Sequence, residues 1–140
     1  VTMDDLIFRN SDRLYYKKFT NVPFIGIVTG QNQGNIRNGK KVGPWVIYHD
    51  NGQIRSQGTY KDGKKVGPWV YYHKNGQLWE KGTFKNGKED GPYVIYHKNG
   101  QLSYKGTYKN GKRNGPWESY DRNGQSDKFA GTYKDGVKVK

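Results

Sequence analysis

Apolar and polar residues alternate along much of this chain, and glycine-containing pairs interrupt the alternation at short intervals. Trp45-Val46-Ile47-Tyr48-His49 runs into Asn51-Gly52, and Ile54 to Lys61 runs into Asp62-Gly63. A period of two bounded by Asn-Gly or Asp-Gly is the pattern of strands joined by hairpins, because a two-residue type I′ turn needs positive φ at both centres. Residues 45–49 and 54–61 are therefore expected to be antiparallel strands. No window of useful length combines a helical period with caps, so the expected fold class is all-β. Proline has no N–H to give a ladder, so Gly43-Pro44 is expected to mark the start of a strand or a bulge, not the interior of a central strand.

The same pattern recurs at an offset of 24. Gly43-Pro44-Trp45 returns as Gly67-Pro68-Trp69, Gly91-Pro92-Tyr93 and Gly115-Pro116-Trp117, with Tyr48, Tyr72, Tyr96 and Tyr120 three residues after each aromatic. Asn51-Gly52-Gln53 returns at 75–77, 99–101 and 123–125. Asp62-Gly63 returns as Asn86-Gly87, Asn110-Gly111 and Asp135-Gly136, the last one residue late, which places an insertion between Gln125 and Tyr133. Self-similarity at a fixed period of this length is the signature of a repeat architecture. The expected organisation is an N-terminal cap over 1–33, a partial unit over 34–42, and units at 43–66, 67–90, 91–114 and 115–140. The whole is expected to form an elongated single-layer antiparallel meander.

If Asn51-Gly52 is a two-residue turn, Trp45 faces Gly58, Ile47 faces Ser56 and His49 faces Ile54. The next units pair Trp69 with Gly82 and Tyr93 with Gly106. In the last, Ala130 falls opposite Trp117 unless the inserted residue bulges out and brings Gly131 into place. A ring laid across a glycine covers backbone that would otherwise be open. Alternation puts Trp45, Ile47, His49, Ile54 and Tyr60 on one apolar face, and Val46, Tyr48, Arg55, Gln57 and Thr59 on the other. A single layer must curl over its aromatics, pair with a second copy or present them as a groove, so the aromatic face is the first place to look for function.

Composition changes the picture in two ways. An apolar fraction of 31% with a net charge of +13 is a combination often found in disordered chains. The 12 Tyr, 5 Phe and 4 Trp supply large buriable area, and their strict periodicity argues for a folded but thin-cored protein. The absence of cysteine excludes disulfides and thiolate metal sites. No stretch is long and apolar enough for a transmembrane helix. A start at Val1 in place of Met fits a removed signal peptide or a removed tag, and leans slightly towards the former, with a secreted or periplasmic location favoured over a cytoplasmic one.

Written out as Tyr-x-Asp/Asn-Gly-Lys-x-x-Gly-Pro-Trp-x-x-Tyr-x-x-Asn-Gly-Gln, the unit resembles bacterial MORN-variant repeats, including the YwqK-like group named for antitoxins. Leu14 to Phe19, followed by Val22-Pro23-Phe24-Ile25-Gly26, resembles the usual opening of such proteins. The resemblance runs from about residue 14 to 137. It implies a β-hairpin repeat fold and a binding or scaffolding role. Eukaryotic MORN proteins, similar in layout, are described as scaffolds, dimerisation devices and acidic-lipid binders.

Candidate chemistry is mostly of the binding kind. His49, His73 and His97 are repeat-equivalent and hence two strands apart, about 10 Å, too far to share a metal ion with bonds of about 2 Å. The carboxylates sit beside turns or at non-equivalent places, so no paired acid and base is visible and no enzyme is expected. No nucleotide-binding loop is present, and no cofactor is implied. Trp45, Trp69, Tyr93 and Trp117 could stack on a partner, although they also serve as core; Trp79 and Tyr104 break the repeat pattern and are the better exposed contacts. Lys40, Lys41, Lys64, Lys65, Lys88, Lys112 and Arg113 follow the turn glycines and form a column of positive charge, with Lys74, Lys98 and Arg122 as a second column beside the Asn-Gly turns. Such columns attract acidic lipid headgroups, nucleic acid or acidic glycans, and they also keep a repeat sheet soluble. The leading expectation is protein–protein binding or scaffolding through the aromatic face, including a possible homodimer. Weak polyanion binding by the lysine columns is the alternative.

Overall fold

The Asp-Gly and Asn-Gly turns adopt the conformation their residues favour. Asp62 and Gly63 have φ of +50° and +81°, and the same signs recur at Asn38-Gly39, Asn86-Gly87, Asn110-Gly111 and Asp135-Gly136. Each joins two strands with no residue to spare, as in the pairing of Lys61 with Lys64. The computed structural model, which describes all of Val1–Lys140, contains thirteen strands. They are β1 (Leu6–Arg9), β2 (Leu14–Lys17), β3 (Gly26–Val28), β4 (Asn32–Arg37), β5 (Lys40–Tyr48), β6 (Ile54–Lys61), β7 (Lys64–Tyr72), β8 (Leu78–Lys85), β9 (Lys88–Tyr96), β10 (Leu102–Lys109), β11 (Lys112–Ser119), β12 (Gly131–Lys134) and β13 (Val137–Lys138). Strands β3 to β13 form one eleven-stranded antiparallel meander, each beside its neighbours in sequence, and β1 pairs only with β2. The one helical element is a 3-10 turn at Met3–Asp5.

The Asn-Gly turns differ from expectation. Gly52 N–H donates to the His49 carbonyl at 3.0 Å and His49 N–H to the Gln53 carbonyl at 2.7 Å. Of Asp50, Asn51 and Gly52, only the glycine has positive φ. This is a three-residue loop with its last residue left-handed, not a two-residue type I′ turn. The Asn51 side chain favours it by accepting the Gln53 N–H at 3.0 Å. The longer loop moves Ile54 opposite Tyr48, not His49, and one residue, Arg55, is then left over as a bulge. That bulge restores the expected pairs Ile47 with Ser56 and Trp45 with Gly58. Trp79 and Ser103 occupy the corresponding bulge positions.

Gly-Pro takes the second of its two expected places, a bulge, although that bulge lies inside a nine-residue strand and not at its start. Gly67, Pro68 and Trp69 pair with Phe84, Thr83 and Gly82 on β8. Towards β6 the ladder jumps from Val66–Thr59 to Val70–Gln57, so the Gly-Pro-Trp segment bulges away on that side. A proline is tolerated there because the ladder has already opened. In the last unit, Trp117 pairs with Gly131, so the inserted residue is absorbed before β12.

The Trp–Gly relation is double. Each aromatic pairs with the glycine of the following strand but lies on the glycine of the preceding one. A Cβ on Gly58 would stand 2.1 Å from the ring of Trp69, one on Gly34 2.3 Å from Trp45, and one on Gly106 2.2 Å from Trp117. None of these glycines has positive φ; they are required by close approach alone. The indole N–H then donates to a carbonyl of the same preceding strand, Trp45 to Asn35 at 3.1 Å, Trp69 to Thr59 at 3.1 Å and Trp117 to Thr107 at 3.2 Å. The ring thus puts a donor where the Gly-Pro bulge interrupts the ladder. At the N-terminal end the core joins Leu6, Val28, Ile36, Trp45 and Trp69, with Met3, Tyr15 and Phe24 packed against them.

Candidate functional site

The aromatic face is built in rows that run across the strands. In the central row Trp45, Trp69 and Trp117 are only 2–4% exposed, and Tyr93 is half-buried. Their cover comes from the next row: Tyr60 stands edge-on to Trp45 and Trp69 at 6.1 and 4.9 Å, and Tyr108 edge-on to Tyr93 and Trp117 at 5.0 Å each. Burial, followed by the neighbouring Tyr71 and Tyr15, pushes the Tyr60 hydroxyl up to about 12. These rings form the core of a one-layer sheet, and the tryptophans offer almost no area to a partner.

The charged column of the sequence divides in two. Lys41, Lys65 and Arg113 turn onto the rings. Lys41 Nζ lies 4.8 Å from the Trp45 ring and 5.2 Å from Tyr60, Lys65 Nζ 4.7 Å from Trp69 and 5.3 Å from Phe84, and the Arg113 guanidinium 5.0 Å from Trp117 and 5.3 Å from Tyr133. A cation over an aromatic face is worth about 0.5–2 kcal/mol depending on desolvation. Burial, with Lys65 adding repulsion, holds the Lys41 ammonium below its usual range. The equivalent place between Lys65 and Arg113 is Glu89, whose carboxyl is raised, first by burial and then by Glu80. Burial and the same Glu80 raise the Tyr93 hydroxyl. By contrast Lys40, Lys64, Lys88 and Lys112 are exposed. Their stems line the turn glycine one unit on, as with Lys40 against Gly63 and Lys64 against Gly87.

At the opposite strand ends, beside the three-residue loops, the units differ most. His49, His73 and His97 each place Nε2 against a backbone carbonyl of the next unit, those of Tyr72, Tyr96 and Tyr120, at 2.9, 3.3 and 2.9 Å. No group of three His, Asp or Glu side chains is placed to hold a metal ion. Trp79 stacks on His73 with ring centres 5.4 Å apart and is 43% exposed. One unit on, the same bulge position is Ser103, small and buried. The change from indole to hydroxymethyl opens a groove of about 910 Å³, walled by Trp79 and His73 and edged by Lys74, Lys98 and Arg122. Tyr104 is half-buried, with Phe129 at 6.4 Å and the Arg113 guanidinium 5.5 Å from its ring centre.

The structure therefore separates residues that the sequence reading grouped. It buries Trp45, Trp69 and Trp117, leaves Trp79 and part of Tyr104 accessible, and sends Lys41, Lys65 and Arg113 inward while Lys40, Lys64, Lys88 and Lys112 point out. The inward lysines could have been found by counting alternation back from Trp45 through Gly43 to Lys41. His73 and Ser103 as groove residues depend on the bulge, which has no sequence marker of its own.

Fold and face together define a tandem-hairpin repeat protein that presents its side chains along one long antiparallel sheet. Within that class, the MORN repeat variant matches at residues 41–62, 65–86 and 89–110, so the chain carries at least three tandem MORN repeats of about 24 residues. No curated protein matches it in sequence. No helix is long and apolar enough to cross a membrane.

Proposed function

We propose that this chain is a non-enzymatic binding or scaffolding module that engages a protein, a second copy of itself included, through the accessible part of its aromatic face. Trp79, Tyr104 and the neighbouring Phe129 are the contact rings, and Trp45, Trp69, Tyr93 and Trp117 are the rigid support beneath them. Residues 1–33 act as the cap of the array. The bacterial, YwqK-like affinity of the unit is part of this reading. The observation that carries it is the exposure of Trp79, an indole held against His73 at the rim of an open groove. Aromatic anchors of this kind dominate interface energetics. Light scattering on the purified chain at low and high salt tests it. A salt-insensitive association that is lost in a Trp79→Ala/Tyr104→Ala double variant is expected; a monomer at every concentration that also retains no partner protein would overturn it.

A second reading is polyanion binding at the tight-turn edge by Lys40, Lys64, Lys88 and Lys112. It is favoured by the way each stem is laid along the next turn glycine, which lowers the entropy lost when an anion is bound. Heparin retention that falls steeply with salt and is removed by Lys64→Glu/Lys88→Glu would support it.

A further inference from the structure

The groove beside the three-residue loops carries a more specific assignment, which rests on the protein-binding reading above and names the chemistry of its partner. Along it, position 74 and its equivalents read Lys74, Lys98, Arg122, all exposed. Equivalent residues lie two strands apart, a step of roughly 9.6 Å. The first equivalent is Asp50, whose carboxylate accepts a hydrogen bond from Gln31 at 2.7 Å, so the cationic row starts at Lys74. Asp121 is engaged with its own loop, accepting the Asn123 and Gln125 N–H groups at 2.9 and 3.0 Å. The row thus presents three cations at one-unit spacing across an aromatic ledge.

That spacing selects among anionic polymers. A nucleic acid strand carries one charge per roughly 3.4 Å, about three times denser than the row. A polypeptide in the polyproline II conformation rises about 3.1 Å per residue with three residues per turn, so every third side chain shares a face at about 9.3 Å. A regular β-strand fails the same test, because residues three apart point to opposite faces. Polyproline II segments are also the ligands of grooves with aromatic walls, where their pre-set conformation lowers the ordering cost. We propose that this groove binds an extended, proline-rich acidic segment of a partner protein, with a carboxylate at every third residue. The carboxylates meet Lys74, Lys98 and Arg122, and the intervening rings pack on Trp79 and His73.

The test uses the whole chain and synthetic peptides. A (Glu-Pro-Pro)4 peptide is compared by calorimetry and tryptophan fluorescence with a (Glu-Pro-Pro-Pro)4 peptide of equal charge and with a 15-nucleotide oligo-dT. The three-residue spacing should bind about tenfold more tightly than the four-residue one, since a carboxylate four residues on is turned about 120° off the shared face and two of the three exposed pairs are lost. Trp79→Ala and Lys98→Glu should each weaken it about tenfold, with unchanged circular dichroism and melting temperature. Equal binding of both peptides, indifference to Trp79→Ala, or preference for oligo-dT would each overturn the assignment. If the peptide fails while the association that depends on Trp79 and Tyr104 persists, only the partner chemistry falls; if both fail, the protein-binding reading falls with it.

Discussion

The two ends of each strand pair follow different rules. At the tight turns the units are nearly copies: a left-handed pair, an outward lysine, then Gly-Pro and a ring lying on the glycine of the strand before. At the three-residue loops the frame is equally regular, but the side chains on it vary. Arg55, Trp79 and Ser103 share one position, and Asp50, Lys74, Lys98 and Arg122 another. A ring that sits 2.1 Å from where a Cβ would be allows no variation without disturbing the sheet. The bulge position, by contrast, holds an exposed arginine, a half-exposed indole and a buried serine on the same backbone frame. The tight-turn end is therefore where the fold is held, and the loop end is where one unit can be made to differ from another.

The sharpest way to break this contrast is a methyl group at each end. Gly58→Ala should displace the Trp69 indole and its bond to the Thr59 carbonyl, an overpacking at the top of its usual range that costs about 3 kcal/mol or more in urea unfolding. Gly52→Ala, with open space around it and φ of +86°, should cost only about 1–2 kcal/mol from backbone strain. Equal losses would dissolve the distinction. Next in size, Trp69→Phe removes the indole donor to Thr59 and should cost about 1–3 kcal/mol. The reverse change at the departing unit, Tyr93→Trp, offers the same donor to Thr83 and should add about 1 kcal/mol.

Glu89 gives a smaller, pH-dependent effect. Its carboxyl is raised in the fold, by burial first, so the folded state holds the proton more tightly than the unfolded chain. Stability contributed by Glu89 is then lost as pH climbs from the ordinary carboxylate range through the raised value. Glu89→Gln should therefore match the parent near pH 3 and exceed it at pH 7, by less than about 1 kcal/mol because the group is only partly buried. A melting-temperature difference that grows as pH falls would contradict the burial argument. Smallest of all, Trp79→Ala should move stability by no more than about 0.5 kcal/mol, its effect appearing only in binding.

What the sequence disclosed follows the same division. Period, strand order, the left-handed tight turns and the pairing of Trp45 with Gly58 were legible, because each rests on short-range chemistry repeated four times. The three-residue loop was not, since Asn51-Gly52 is equally compatible with a two-residue turn and only the hydrogen bonds of His49 tell them apart. The expected inner pairs survive because the longer loop and the bulge at Arg55 cancel. The direction of each indole was also hidden. Pairing names Gly82 as the neighbour of Trp69, whereas the ring goes the other way, to Gly58, drawn by the carbonyl that the Gly-Pro bulge leaves open. Trp79 was readable as an exception to the period, but the groove beside it required Ser103 to be seen as its equivalent.

Because every strand of the sheet pairs only with its neighbours in sequence, a whole unit can be copied or deleted without any distant strand pairing having to be rebuilt. Tandem duplication of 24 codons, starting anywhere in the unit, would return an in-register protein about 10 Å longer. Length is thus inherited in discrete increments, and each new copy begins as a duplicate whose loop end is free to diverge.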